Sequence, residues 1–185
     1  MAGDERALPV TSYAVLGLLT YGERSGYDLT KLVEQSIGFF FTPAKSQIYA
    51  ELKRLVSLGY ASEREVEQER RPDKRIYAIT REGEGALREW LEGPDVPPDE
   101  IKSTFMVKVF FGHHMSRDAV LGQLEQARQQ AREELEQLET IEKTIRDEDS
   151  LFYPYLTLKC GLKYCRAQIR WLEETIREVR GRVEA

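Results

Sequence analysis

The sequence predicts a mainly α-helical protein with one small β-hairpin, divided into two parts. Residues 93–99 include three prolines and cannot continue a helix, because proline removes a backbone donor and fixes φ. Before this run, the β-forming segments 61–68 and 75–80 predict a hairpin. After it, apolar residues recur at alternating spacings of three and four, which is typical of helices that pack side by side. We therefore expect domains at residues 8–93 and 99–185.

Composition narrows the class of protein. The 185 residues carry 27 basic and 32 acidic side chains, a net charge of −5, which excludes a uniformly basic coat but allows a local basic patch. The apolar segment 10–19 is too short to span a membrane, and Asp4 and Glu5 before it do not fit a signal peptide. Cys160 and Cys165 lie five residues apart in one predicted helix and are expected to be reduced. These observations favour a cytoplasmic protein without a membrane partner.

Two helices are expected before residue 40. Thr11 or Ser12 can cap the first, and Ser25 and Asp28 have the spacing of a capping box for the second. The hairpin strands flank a turn at residues 69–74 that contains proline and aspartate. A helix follows the hairpin, and its apolar residues are Ala86, Leu87, Trp90 and Leu91.

The third helix is expected to start at Thr42, because threonine supplies a cap oxygen and the following proline suits the first helical position. Gly59 is expected to end it in the left-handed conformation. At about 100° per residue, Ile48, Leu52 and Leu55 define its buried side. The opposite face is small, polar and basic: Ser46, Ala50, Lys53 and Ser57, flanked by Tyr49, Gln47 and Arg54, with Lys45 in the first turn.

Such a face fits the major groove of DNA. Small residues allow close approach, Ser and Gln reach base edges, and Lys and Arg meet phosphates or guanine. A helix and a turn precede it, as in a helix-turn-helix. An ordinary solvated helix face is the alternative, and the helix alone does not exclude it.

The hairpin tip favours the DNA-binding interpretation. Arg70, Arg71, Lys74 and Arg75 fall within six residues and can neutralise phosphates. Because Glu69 and Asp73 dilute this charge, a merely soluble tip is the alternative. The basic face of the third helix and the basic hairpin tip, in this order along the chain, together indicate DNA binding more strongly than either does alone.

The second part is expected to be entirely helical. A short apolar helix covers 101–111, and Ser116 can cap a long helix over 117–147. The last helix carries a heptad seam: Tyr155, Leu158, Leu162, Cys165, Ile169, Leu172, Ile176, Val179 and Val183. An intramolecular helix pair is one interpretation of this seam. Two long helices cover each other thinly, so we favour a homodimer whose interface includes the first eight of these residues.

No catalytic or metal site is predicted. His113 and His114 are adjacent and point in different directions, so they do not form a metal site by themselves. The sequence contains no recognisable nucleophile motif and no glycine-rich phosphate loop. We therefore expect neither an enzyme nor a cofactor.

Several motifs occur in order: VLGLL at 15–19, GYDL at 26–29, SQIYAELKRL at 46–55 and RPDKRIYAIT at 71–80. Over about residues 8–91 they resemble the PadR family of transcriptional regulators. The second part is similar, by length and helical pattern, to the helical domain of the longer, AphA-like branch. Many members of the family have proline after an Ile-Tyr pair. In this chain the pair is Ile48 and Tyr49, and Ala50 follows it.

The resemblance implies an N-terminal winged helix-turn-helix and a C-terminal antiparallel helical, coiled-coil dimerisation domain. It implies a homodimer that binds an inverted-repeat operator in double-stranded DNA, most often as a repressor and sometimes released by a small aromatic effector. An activator of the same fold and a winged-helix protein-interaction adaptor are the alternatives. Residues that would bind an effector are not implied. The expected DNA-binding residues are Thr42, Lys45, Ser46, Gln47, Tyr49, Lys53, Arg54, Arg70, Arg71, Lys74 and Arg75.

Overall fold

The structure, a computed structural model, describes residues 8–66, 74–94, 96, 98 and 102–182. The chain forms two units, Met1–Pro97 and Pro98–Ala185. The expected mainly α fold with a small antiparallel sheet is confirmed, while the exact domain ranges 8–93 and 99–185 stay predictions. Arg70 and Arg71 lie outside the described residues, as does Val183 at the end of the seam.

The first unit contains four helices and three short strands within the described residues. They are α1 (Val10–Leu19), β1 (Arg24–Ser25), α2 (Gly26–Gln35), α3 (Lys45–Ser57), β2 (Ala61–Val66), β3 (Lys74–Ile79) and α4 (Arg81–Glu92). The sheet has the order β1-β3-β2, and both pairings are antiparallel. The sequence did not predict β1, because two residues are too few to show an alternating pattern.

The core of the first unit lies between its helices and the sheet. Leu16, Leu29, Leu52 and Leu55 are completely buried there. Burying each such side chain contributes roughly 2 kcal/mol to stability. The inward faces of α1, α2 and α3 therefore fix where the outward face of α3 points.

The apolar residues at the C-terminal end of α4 are only partly buried. Leu87 is buried, and the ring of Trp90 stacks on that of Tyr13, with centroids 4.5 Å apart. Leu91 is exposed.

Two helix ends form as expected. In α2, Ser25 Oγ accepts a hydrogen bond from Asp28 N at 3.2 Å, and Asp28 Oδ2 accepts one from Ser25 N at 3.3 Å. This reciprocal pair is the predicted capping box. Gly59 follows α3 with φ +75°, a conformation that glycine adopts without strain. Tyr60 N then donates to Leu55 O at 2.9 Å, which completes a Schellman turn.

The end of α3 is tied to the start of α4. Thr80 N donates to Tyr60 O at 3.1 Å, and Thr80 Oγ1 donates to Gly59 O at 2.7 Å. A Cβ added to Gly83 would come within 2.0 Å of the same Tyr60 oxygen. Only a glycine allows this approach. The ends of α3 and β3 and the start of α4 therefore meet at one backbone turn.

The expected helix starts at Thr11 or Ser12 and at Thr42 are wrong. The first helix begins at Val10 without a side-chain cap, and Ser12 is buried inside it. The third begins at Lys45, and Thr42 Oγ1 donates instead to the Gly38 carbonyl at 3.0 Å. In each case the hydroxyl has a tertiary or preceding-turn partner that local spacing does not reveal.

The second unit is helical in the part of it that the structure describes. Its elements are α5 (Thr104–Phe110), α6 (Arg117–Ile145) and α7 (Phe152–Gly181), with single 3₁₀ turns at Gly112–His114 and Asp149–Leu151. Ser116 caps α6 as expected, accepting from Ala119 N at 3.3 Å. No helix in the described ranges is long and apolar enough to cross a bilayer.

Helices α6 and α7 pack against each other in antiparallel order within one chain. Arg132 Nη2 lies 2.6 Å from Glu173 Oε1, and Arg166 Nη2 lies 2.9 Å from Glu139 Oε1. Most of the predicted seam is consequently internal. The buried seam residues are Leu158, Leu162, Cys165, Leu172 and Ile176, and the half-buried ones are Tyr155, Ile169 and Val179. The intramolecular interpretation of the seam therefore accounts for its five buried members.

Candidate nucleic-acid interface

The outward face of α3 is available to a partner. Ile48, Leu52 and Leu55 are buried as predicted, and they anchor the helix to the core. On the inner edge, Ser12 Oγ of α1 donates to Glu51 Oε2, which fixes the helix from a second side. The exposed side chains of α3 are Lys45, Ser46, Gln47, Tyr49, Ala50, Lys53, Arg54 and Ser57. This is the face that the sequence predicted.

Tyr49 lies at the edge of this face against the start of α2. A Cβ added to Gly26 would come within 2.4 Å of Tyr49 Cε1, so the ring occupies the space that any other residue at position 26 would need. The tyrosine remains 43% exposed. Its orientation is therefore set by α2, while the rest of the ring is free to contact a ligand.

Gln47 has a local role that limits its reach. Its Oε1 accepts a hydrogen bond from Ala44 N at 2.9 Å, which satisfies one of the open donors at the start of α3. Thr42 lies three residues before the helix. The roles of both residues in DNA binding stay predictions, and the structure gives Gln47 a capping role in addition.

Two of the three cations of α3 are paired with carboxylates. Lys45 Nζ lies 3.6 Å from Glu34 Oε1, and Arg54 Nη1 lies 3.9 Å from Glu51 Oε2. Lys45 and Glu34 are both more than half exposed, and a pair of this kind contributes only about 0–1 kcal/mol. A phosphate can therefore replace the Glu34 carboxylate at small cost.

The hairpin of β2 and β3, which we call the wing, shows the same arrangement at its described base. Lys74 Nζ lies 2.8 Å from Asp28 Oδ2, and Arg75 Nη1 lies 3.7 Å from Glu63 Oε2. Hydrogen bonds from Lys74, and then from Ser25, lower the pKa of Asp28 to about 2. The wing is thus tied to the first turn of α2 by a carboxylate that stays ionised.

The carboxylate partners and Gly26 were not identified from the sequence. Asp28 had a signal, its capping-box spacing, but that spacing indicates a helix start and not a partner for Lys74. Glu34, Glu51 and Glu63 had none, because each contact depends on the exact position of neighbouring elements. The structure brings Lys74, Tyr49 and the start of α2 together in the first unit.

Comparisons with known proteins agree with this architecture. Residues 15–89 match the family model "Transcriptional regulator PadR-like family", and residues 101–180 match "Virulence activator alpha C-term". The chain is 32% identical over 174 residues to the "Negative transcriptional regulator PadR" of Bacillus subtilis, covering 90% of this chain and 96% of that protein.

Two solved structures of this Bacillus subtilis protein are similar to nearly the whole chain. Bacillus subtilis PadR in complex with operator DNA has a TM-score of 0.80 at 31% identity, covering 92% of this chain and 99% of that one. The same protein with p-coumaric acid has a TM-score of 0.73 at 30% identity and the same coverage.

The Vibrio cholerae virulence activator AphA has a TM-score of 0.69 at 25% identity, covering 92% of this chain and 98% of that one. Each of these proteins therefore matches both the N-terminal and the C-terminal part of this chain. The chain belongs to the PadR-like family of transcriptional regulators, in its longer, AphA-like branch.

Proposed function

We propose that this chain is a sequence-specific DNA-binding repressor that acts as a homodimer on an inverted-repeat operator. The observation that carries the proposal is the exposed polar and basic face of α3, held rigidly by its buried opposite side. The similarity to Bacillus subtilis PadR, which is named a negative regulator and was solved with operator DNA, supports it. We propose a regulatory and not an enzymatic role, in the cytoplasm.

In this proposal α3 enters the major groove. Ser46 and Tyr49 face base edges, and Lys53 meets a phosphate or a guanine. The wing follows the neighbouring backbone, with Lys74 and Arg75 at its described base. The two α3 helices of a dimer would then read half-sites about 34 Å apart, one helical turn of DNA.

The dimer contact is proposed on a part of α7 that the single chain leaves open. Leu158, Leu172 and the other buried seam residues are already covered by their own chain and add little to a contact between chains. A second stripe at helical spacing is exposed instead. Its members are Tyr153, Leu156, Cys160 and Tyr164. Exposed aromatic and aliphatic side chains in one line are typical of a contact surface.

Control by a small aromatic acid is the proposed form of regulation. It is supported by the structure of Bacillus subtilis PadR with p-coumaric acid. A ligand that binds the DNA-free state better than the DNA-bound state weakens operator binding by the same free-energy difference. We assign no residue of this chain to the effector.

An activator of the same fold is the second candidate. The match of residues 101–180 to a virulence activator domain, and the similarity to AphA, favour it. The higher identity to a negative regulator leads us to place repression first. A reporter gene behind the bound promoter separates the two: deletion of the regulator raises expression under repression and lowers it under activation.

The first experiment measures binding to a labelled duplex from the region upstream of the gene. A scrambled duplex of the same composition is the control, across a series of salt concentrations. We expect preference for the natural duplex, one dimer per site and a steep loss of affinity with salt. If the natural duplex shows no preference, selection from random duplexes is the second step. Failure to enrich any sequence there would contradict the proposal and favour the protein-interaction adaptor.

A further inference from the structure

A groove of about 560 Å³ in the first unit lies between α2 and the sheet. Its walls carry four cations, which are Arg24, Lys31, Arg64 and Lys74. Among the described residues, two carboxylates, those of Glu23 and Asp28, line it as well. The described lining is therefore positive by two charges, although the whole chain has a net charge of −5.

Two of the four cations are neutralised within the groove. Arg64 Nη2 lies 2.6 Å from Glu23 Oε2, and Lys74 Nζ lies 2.8 Å from Asp28 Oδ2. The excess positive charge therefore belongs to Arg24 and Lys31.

Arg24 and Lys31 contact uncharged groups. The Arg24 guanidinium donates to the backbone carbonyls of Glu23 at 3.0 Å and Tyr21 at 3.3 Å. Lys31 Nζ lies 4.7 Å from the centre of the Tyr27 ring. Within the described residues, no carboxylate lies within ion-pair distance of either side chain. Their charge is thus available to an anion.

The shape of the groove suits a long anion better than an enclosed small molecule. The side chains of Arg64 and Glu23 are 60% and 52% exposed, so the walls are open to solvent. Of the described lining residues, Leu32 and Ile76 alone have apolar side chains. Sites for small organic ligands are usually enclosed and mostly apolar, whereas open cationic surfaces attract polyanions.

The groove adjoins α3 through α2. Gly26 at the start of α2 contacts Tyr49, and Glu34, one turn after Lys31, lies 3.6 Å from Lys45. In a helix-turn-helix the first helix crosses the DNA backbone while the second enters the major groove. The α2 wall of the groove is therefore close to where the backbone would pass.

We propose that this groove binds phosphates of the DNA backbone beside the major groove that α3 reads, with Arg24 and Lys31 as the neutralising cations. The proposal rests on the proposed DNA-binding function. It adds backbone contacts by Arg24 and Lys31, neither of which belongs to α3 or to the hairpin of β2 and β3.

The test compares the salt dependence of DNA binding in three full-length variants. Arg24→Gln with Lys31→Gln removes both charges, and Lys31→Gln alone removes the exposed one without touching a backbone contact. Lys143→Gln with Arg177→Gln removes two exposed charges from α6 and α7 as the matched control. Binding is measured on a mixed-sequence duplex, so no operator need be known, and circular dichroism checks folding.

Each lost phosphate contact lowers the slope of log affinity against log salt by about 0.9. A dimer of the double variant loses four contacts, so its slope should fall by about 3 to 4, and that of Lys31→Gln by about half as much. The control should keep the wild-type slope. Equal slopes for all folded variants would overturn the groove proposal while leaving DNA binding intact. Absence of salt-dependent binding by the wild type would instead overturn the proposed function.

A free phosphate compound is the other source of the same chemistry. Pyrophosphate is titrated into the wild type and the double variant by calorimetry. Binding that the variant loses, with an unchanged DNA slope, would assign the groove to a small phosphate ligand and overturn the DNA proposal. No pyrophosphate binding together with the reduced slope supports it.

Discussion

The ring of Tyr49 in α3 occupies the space where residue 26 at the start of α2 would carry a Cβ, which would lie only 2.4 Å from Tyr49 Cε1. The orientation of Tyr49 on the exposed face of α3 therefore depends on Gly26 in the preceding helix. This relationship gives a direct way to move the tyrosine without mutating it.

Gly26→Ala should displace the Tyr49 ring and weaken binding to the preferred duplex, with little change in binding to a scrambled one. Gly85→Ala in α4 is the matched control, because a Cβ there meets nothing within 4 Å. The control should bind normally and gain up to about 1 kcal/mol in stability. Both are measured by fluorescence anisotropy and urea unfolding. Normal specific binding by a folded Gly26→Ala protein would show that the ring position does not matter.

Tyr49→Ala should weaken specific binding more than non-specific binding, because we place the ring at base edges. A lost base contact costs about 1–3 kcal/mol of discrimination. Tyr49→Phe separates the ring from its hydroxyl. Equal losses on preferred and scrambled duplexes would assign Tyr49 to a phosphate contact.

Ser12→Ala should destabilise the first unit by about 1–3 kcal/mol, because it removes the donor to the mostly buried Glu51 carboxylate. Ser57→Ala, which removes an exposed hydroxyl bonded to the Arg54 carbonyl, should be nearly neutral. Urea unfolding measures both. Equal stability of the two variants would mean that the link between α1 and α3 contributes little.

We expect the Asp28 carboxylate, which caps α2, to contribute to stability in a pH-dependent way. The pKa of Asp28 falls from 3.8 to about 2 in the folded chain, so its contribution is complete above pH 4 and lost as the pH falls through 2. The stability difference between the wild type and Asp28→Asn should therefore close between pH 4 and 2. Since the side chain is 38% exposed, screening keeps this difference small.

Lys74→Gln is the companion variant, because Lys74 is the main cause of the lowered pKa. It should move the midpoint of that loss upward toward 3.8, the ordinary value. Chemical unfolding at a series of pH values measures all three proteins. A difference that persists unchanged at pH 2 would contradict the role of this ion pair.

Leu156→Glu should dissociate the proposed dimer and leave the helices folded, because Leu156 lies on the exposed stripe of α7. Thr157→Glu, at the neighbouring exposed position, is the control and should remain dimeric. Ile169→Glu should instead lower the stability of the second unit, since Ile169 packs on its internal cluster. Sedimentation and circular dichroism distinguish these effects. A dimeric Leu156→Glu protein would place the interface elsewhere.

Local chemistry accounts for what the sequence predicted well. Ser25 with Asp28, Ser116 and Gly59 mark helix ends through hydrogen bonds or a left-handed turn that involve only neighbouring residues. The inward and outward faces of α3 follow from helical periodicity alone. These local signals were sufficient to predict the fold and most of the exposed face of α3.

Contacts between distant elements account for what the sequence did not predict. The start of α3 is a local exception: the Gln47 side chain accepts from Ala44 N there, while the Thr42 hydroxyl donates to the preceding Gly38 carbonyl. The strand β1 exists only because β3 offers it an edge. The heptad seam correctly indicated a helix partner for α7, but periodicity does not distinguish a partner in the same chain from one in another.

The turn where Tyr60 accepts from Thr80, and where Gly83 approaches closely, has a consequence for how such regulators diverge. This turn anchors α3, the wing strands β2 and β3, and α4 through backbone atoms. None of the exposed side chains of α3 takes part. Duplicated copies of the gene can therefore exchange Ser46, Ala50 or Lys53 without disturbing the frame that presents them. If α3 reads DNA as proposed, the preferred operator can therefore change without a new fold having to be stabilised.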